Sequence, residues 1–303
     1  MSNQIQYAEI FQKALDAQIL AGATSNWMEA NAGQVIYNGG NTIKIPKLST
    51  NGLGDYDRAN GYASGAITFE YETKTMTQDR SRSFLLDAMD VNETNFVATA
   101  GAVMSTFQKE NVIPEIDAYR YSSLAAQLIA KNKANYGYEA TAETIMKTLK
   151  TEIDTIRDIT GDVNLVCSIS RLVLSLLEQG TRLEKVQFTS GDIITEVSSI
   201  DGVPLLPVPS ARMKTKYVFN DGKTSGQEVG GFVAADDAKD INWIITPRTA
   251  PIAVSKTDKP KIINPETNQD ADAWKIAYRK YHDLWITDEK IKVSSVNIKQ
   301  AKA

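Results

Sequence analysis

Two alternating stretches, one at Thr42-Ile43-Lys44-Ile45 and the other from Ile67 to Thr75, flank a segment that cannot belong to a core. From Leu48 to Ser64 the residues Gly52, Gly54, Gly61, Asn51, Asn60, Asp55 and Asp57 crowd out core-forming side chains, as in an extended loop. Beyond it Ile67, Phe69, Tyr71, Thr73 and Thr75 fall on one face of a strand, opposite Thr68, Glu70, Glu72 and Lys74. Residues 40–78 therefore read as a long two-stranded arm with a glycine-rich tip. Two strands bury too little surface to stand by themselves, so the arm must lie on a partner. A shorter hairpin precedes it, with Gln34-Val35-Ile36-Tyr37 paired to the first stretch across Asn38-Gly39-Gly40-Asn41.

The rest of the chain is ordinary folded protein. At 42% hydrophobic and 23% charged residues over 303 positions, it has enough apolar surface for two or more cores. Its 33 basic and 37 acidic residues are spread evenly, without a basic arm or acidic tail, which disfavours tight nucleic-acid binding through phosphate neutralisation. One cysteine, Cys167, and one histidine, His282, supply neither an intrachain disulfide nor a structural zinc site. With no secretory pattern in residues 1–30 and no run of about 18 apolar residues, the chain reads as a cytoplasmic product that does not enter a membrane. Asn92-Glu93-Thr94, although a sequon, is then a helix start.

Helical spacing of Ile5, Ala8, Phe11, Leu15 and Ile19 predicts a short amphipathic helix at the N-terminus, with a free arm as the alternative. The strongest helix runs from an Asn92 cap through Phe96, Val97, Ala100, Val103, Met104 and Phe107, ending at Asn111 and Pro114; a second helix opens at Pro114 and carries Leu124, Leu128 and Ile129. A third, from about Ala142 to Asp158, lines one face with Ile145, Leu149, Ile153 and Ile156 and stops at Gly161. Strands follow at 163–169, 193–197 and 203–208, with a helix at 171–179 between them and Asp201-Gly202 joining the last two, an α+β order. Trp274, Ile276 and Tyr278 alternate like a strand, yet Trp274, Tyr278, Tyr281 and Trp285 fit a helical stripe, so periodicity leaves both open.

Catalytic motifs fail on inspection. Gly222-Lys223-Thr224 resembles the end of a phosphate-binding loop, but Tyr217 stands where its first glycine belongs, and Asn220-Asp221-Gly222 reads as a turn. Gly52 and Gly54 lack a third glycine, since Asp57 occupies that place, and no helix opens there. His282, set among aromatic residues, reads as a structural histidine with its tip hydrogen-bonded, and Cys167 as a small buried hydrophobe. Asp236, Asp237 and Asp240 lack an ordered ligand series and read as a solvated loop. No catalytic, cofactor or metal residue is expected.

The order of parts resembles a known family. The match is carried by Asp79-Arg80-Ser81-Arg82-Ser83-Phe84 leading through Asp87 and Asp90 to the helix from Asn92, then Pro114-Glu115-Ile116-Asp117, then Ile200-Asp201-Gly202-Val203-Pro204. It closes with Pro265 to Asn268, Asp272-Ala273-Trp274, Tyr278-Arg279 and Tyr281-His282-Asp283-Leu284-Trp285. Together these resemble the major capsid proteins of tailed bacteriophages, with the Hong Kong 97 capsid fold.

The resemblance implies an α+β fold with an N-terminal arm (1–32), an E-loop hairpin and its base (33–82), a P-domain with the spine helix (83–158), an A-domain (159–244) and a return to the P-domain (245–303). It places Trp274 in a long strand. It implies a non-enzymatic shell subunit, forming hexamers and pentamers around double-stranded DNA that it contacts weakly and nonspecifically. Expected partners are further copies, a separate scaffolding protein because the arm begins almost at Met1, a portal and decoration proteins. The expected place is the virion capsid, assembled in the host bacterial cytoplasm. An encapsulin-like compartment, and an oligomeric enzyme or binding protein with an unrecognised site, are the alternatives. Crosslinking as in some relatives would use Lys44, Lys47 or Lys74 with Asn264 or Asn268, but nothing in the sequence specifies the geometry.

Overall fold

A computed structural model describes residues 22–37, 40–58, 61–87, 102–191, 193–263 and 265–302. The N-terminal amphipathic stretch and the helix start at Asn92, with Phe96, Val97 and Ala100, lie outside the described residues, as does Asn264. After a 3-10 stretch at Asn26–Gln34 come β1 (Ile36–Tyr37), β2 (Thr42–Thr50), β3 (Ile67–Thr75) and β4 (Gln78–Asp87). A long helix then leads to β5 (Ala134–Tyr136), the helix Ile145–Thr160, β6 (Leu165–Ser170), the helix Arg171–Gly180, β7 (Glu184–Ser190), β8 (Ile193–Ile200) and β9 (Val203–Val208). The chain closes with β10 (Tyr217–Phe219), β11 (Phe232–Ala234), β12 (Ile241–Pro247), β13 (Pro251–Ile263), β14 (Ala273–Ile286) and β15 (Ser295–Ile298).

One seven-stranded sheet, ordered β5-β15-β12-β6-β9-β8-β7, forms the larger body. Its central strands β6 and β12 are buried along their whole length, because both faces are covered. Leu165, Cys167 and Ile169 of β6 face the helices 145–160 and 171–180, packing with Ile145, Leu149, Ile153, Ile156, Val173, Leu174 and Leu177. Val166, on the opposite face, joins Tyr121, Leu124 and Leu128 of the long helix and Trp27 and Met28 of the 3-10 stretch. The predicted stripe of the helix 145–160 is thus its buried face, and Gly161 ends it at φ 68°. Asp201 and Gly202, both at positive φ, make the tight turn between β8 and β9. The helix 145–160 shares a core with β6, and Ile244 lies within β12.

The second body is the three-stranded antiparallel sheet β13-β14-β4. The segment at Trp274 is strand, and β14 pairs along its length with β13 and with β4. Ile276 and Tyr278 pack against Phe84, Phe107, Val112 and Ile116, while Leu284 and Ile286 reach the larger core. Phe107 stacks edge-on against Phe84 at 5.1 Å between ring centroids and Tyr278 at 6.2 Å. The long helix does not stop at Asn111 and Pro114. It runs from 102 to 130, because a π-turn at Gln108–Val112 immediately before Pro114 accommodates the missing N–H and the ring. Sequence periodicity carries no sign of such a turn.

A buried carboxylate fastens these parts together. Asp117 is fully buried on the long helix and accepts five hydrogen bonds: from Thr24 N (3.1 Å) and Oγ1 (2.9 Å), Ser25 N (3.0 Å) and Oγ (2.6 Å), and Arg212 Nη1 (2.9 Å). One turn away, buried Arg120 pairs with Glu29. Breaking a buried pair strands its partner charge, at about 3–5 kcal/mol. Asp117→Ala should therefore lower subunit stability by that amount in urea unfolding; an unchanged midpoint would show that the clamp contributes nothing.

Candidate assembly surfaces

The β2–β3 hairpin has its two faces the wrong way round for a chain folding on itself. Residues opposed across the ladder share a face, so the register Ile43↔Lys74, Ile45↔Glu72, Lys47↔Glu70 and Ser49↔Thr68 defines the inner one. At the base, Ile43 and Ile45 are buried against Val35, Met76, Ile252, Val254 and Trp285, which anchors the hairpin to the three-stranded sheet. Farther out that face turns polar. The outer face, set by Pro46↔Tyr71, Leu48↔Phe69 and Thr50↔Ile67, is apolar where it points away from its own body. Ile67 is 75% exposed, Leu48 61%, Phe69 56% and Tyr71 45%. Phe69 and Tyr71 stack edge-on at 5.0 Å, and at the tip Tyr56 and Tyr62 do so at 5.2 Å. An exposed apolar face of this kind marks a surface suited to interaction with another chain.

A polar cleft of about 870 Å³ opens between β4, the long helix and the loop joining β10 to β11. Arg80 holds it together. Its guanidinium forks onto Glu115 of the long helix (2.6 and 3.3 Å) and donates to the carbonyls of Asn220 (2.7 Å) and Gly231 (3.2 Å). The Asn220-Asp221-Gly222 turn forms as expected: Gly222 sits at φ 72°, and Asp221 accepts from Thr224 Oγ1 (2.6 Å) and from the amides of Thr224 and Lys223, which draw its pKa down to about 2. This turn is fixed by its own side chain and has no phosphate-loop geometry.

The remaining residues singled out in the sequence are dispersed. Cys167 is buried in β6, and burial together with Glu152 raises its thiol pKa, so the thiol stays protonated. Asp237 pairs with Lys216 and Asp240 with Lys214, so these carboxylates serve lysines. Among the described residues no group of three or more metal-ligating side chains comes together, and no helix is long and apolar enough to cross a membrane. Lys74 pairs with Glu72 and Lys47 with Asp288, while Asn268 donates to the carbonyl of Ala273 within its own turn.

His282 is buried on the floor of the cleft against Tyr119, ring centroids 5.3 Å apart. The hydrogen bond expected at its tip is not there at Nδ1, which has no partner among the described residues. Burial, then the cations Arg120, Lys280 and Arg80, hold its pKa well below the ordinary 6.5. The folded state therefore binds fewer protons than the unfolded one, and the stability that depends on neutral His282 is complete above pH 6.5 and lost as the pH falls through it. The unfolding free energy should drop between pH 7 and 5.5 by up to about 1.4 kcal/mol per unit more than that of His282→Gln. Parallel profiles for the two proteins would contradict the assignment.

No protein-family model matches the sequence, and no curated protein is detectably similar to it. Solved structures are. The capsid of cyanophage P-SCSP1u aligns at TM-score 0.56 with 10% identity, over 88% of this chain and 85% of that one. A structure from Microbacterium phage Oxtober96 aligns at 0.55 with 11% identity, over 89% and 90%. The mature capsid of bacteriophage PhiM1 aligns at 0.51 with 14% identity, over 87% and 83%. At such identities the likeness speaks of fold, and it spans nearly the whole of both chains: this chain has the α+β Hong Kong 97 capsid fold of tailed-phage shells.

Proposed function

We propose that this chain is the major capsid protein of a tailed bacteriophage, a structural and non-enzymatic subunit that assembles as hexamers and pentamers into an icosahedral shell around double-stranded DNA. The observation that carries this reading is the outward apolar face of the β2–β3 hairpin, Leu48, Ile67, Phe69 and Tyr71, which its own body cannot cover. In this reading the hairpin is the E-loop lying on a neighbour. The long helix with β4, β13 and β14 is the P-domain, and the seven-stranded sheet with its outer helices is the A-domain. Closed symmetry then repeats one contact around each capsomer. A formal charge of −4 suits a container that must release its DNA, because a lining that gripped phosphates would oppose exit. A scaffolding protein, a portal, decoration proteins and assembly in the host cytoplasm complete the proposal.

Replacing Leu48 and Phe69 by serine removes the apolar strip without touching Ile43 or Ile45, so the subunit should melt like the parent yet lose assembly. Deleting residues 50–64 should likewise leave a folded subunit that forms no stable shells. Electron microscopy of particles, beside thermal melting of the subunits, reads both. Parent-like shells from either variant would remove the hairpin from the assembly contact.

A further inference from the structure

The cleft bounded by β4, the long helix and the loop between β10 and β11 holds cations that are unequally committed. Arg80 is forked on Glu115, Arg279 on Asp79 at 2.9 Å through Nε, and Lys280 is paired with Asp258. Arg82, Lys223 and Lys261 also line the cleft and are exposed. Among the described residues none of these three has a carboxylate within 4.0 Å; Arg82 reaches only the backbone carbonyl of Glu228, at 3.2 Å. The carboxylates nearby are engaged elsewhere, since Asp221 caps its own turn and Glu228 accepts from the amide of Gly226 at 2.9 Å.

The opposite charge stands on the turn that joins β13 to β14. Glu266, Asp270 and Asp272 are all exposed there, and among the described residues the one cation paired with them is Lys275, 2.6 Å from Asp270. The cleft is reached by residues 277–282 of the same strand, so roughly 15–30 Å of continuous β14 separates turn from cleft. A strand paired on both sides cannot fold back across that gap, so within one copy the acidic turn does not reach Arg82, which stands opposite Tyr278; Lys261, opposite Ala277 on β13, is nearer its own turn, yet among the described residues no carboxylate lies within 4.0 Å of it.

We propose that the acidic turn carrying Glu266, Asp270 and Asp272 docks into the Arg82, Lys223 and Lys261 side of the cleft of a second copy. This rests on the shell reading and names a second contact within it. Joining two different surfaces makes the contact heterologous, the kind that closes into rings when repeated. It sits on exposed charge, so its strength falls with added salt, unlike that of the apolar hairpin.

The test is charge reversal with rescue, on the full chain. Arg82→Glu with Lys261→Glu, and separately Glu266→Lys with Asp272→Lys, should each lower the assembled fraction at low salt about tenfold through like-charge repulsion. The four changes together restore complementarity and should return assembly to within about threefold of the parent. All six cleft and turn positions are exposed, so parent-like melting is expected of every variant; glutamine replacements repeat the comparison with smaller amplitude if a reversal fails to fold. A combined variant no better than either half, or halves that assemble like the parent, would overturn the docking. Cleft reversal that leaves assembly intact while reducing retained nucleic acid would assign the cleft to phosphate and overturn it as well. A parent that never forms capsomers or shells would instead remove the reading on which the docking rests.

Discussion

A sheet has two faces, and beyond its base, where β1 pairs with β2, the β2–β3 hairpin has only one body to lie on. Its base uses that body through Ile43 and Ile45, which explains why the hairpin leaves the three-stranded sheet where it does. Past Ile45 the inner face becomes Lys47, Ser49, Thr68 and Glu70, and the apolar residues switch to the side facing away. Burying a side chain of this size is worth about 1.5–3 kcal/mol, so four of them left outward is a cost the isolated subunit does not recover. The arrangement makes sense only if the other side of the hairpin is another molecule.

How firmly the hairpin is held depends on the polar layer between the long helix and the sheets. Asp117 with Thr24, Ser25 and Arg212, Arg120 with Glu29, Lys280 with Asp258, and Asp283 with Thr77 and Tyr119 run through the interior as successive charged and hydrogen-bonded groups. Buried ion pairs return about as much as desolvation takes. What such a layer adds over apolar packing is direction: each hydrogen bond fixes an angle as well as a distance. The layer joins the segment 22–34, the long helix and the β13-β14-β4 sheet, to which the hairpin base is anchored. In a shell, small angular errors at one subunit are repeated around every ring, so direction matters more than a few kcal/mol of net stability.

Much of this was legible in the residues because local pattern and tertiary burial agree. The stripe Ile145, Leu149, Ile153 and Ile156, the Asp201-Gly202 turn and the two arms of the hairpin each follow from periodicity or backbone preference alone. Trp274 to Trp285 did not, since its spacing satisfies both a strand and a helix, and only the resemblance to capsid proteins separated them. Pro114 misled because a proline stops a regular α-helix but not one with a π-turn just ahead of it. Strands β7, β12 and β13 carry too little alternation to declare themselves, β12 because it is buried on both faces. For the assembly surface, the alternation of Ile67, Phe69 and Tyr71 was visible, but its direction was not: which face looks inward is decided by Ile43 and Ile45 meeting Trp285, more than 200 residues away. The cleft was invisible for the same reason, its free cations coming from positions 82, 223 and 261.

The most direct measurement of the central claim is hydrogen exchange along the hairpin in the assembled particle and in the dissociated subunit. Protection of a two-stranded ladder without a covering partner is low, because opening it exposes little buried surface. The amides of residues 46–50 and 67–71 should exchange rapidly in the subunit and slow by at least about tenfold on assembly, whereas those near Ile43 stay protected in both. Equal, rapid exchange of the outer ladder in both states would contradict the account, since the apolar face would then be uncovered in the particle too.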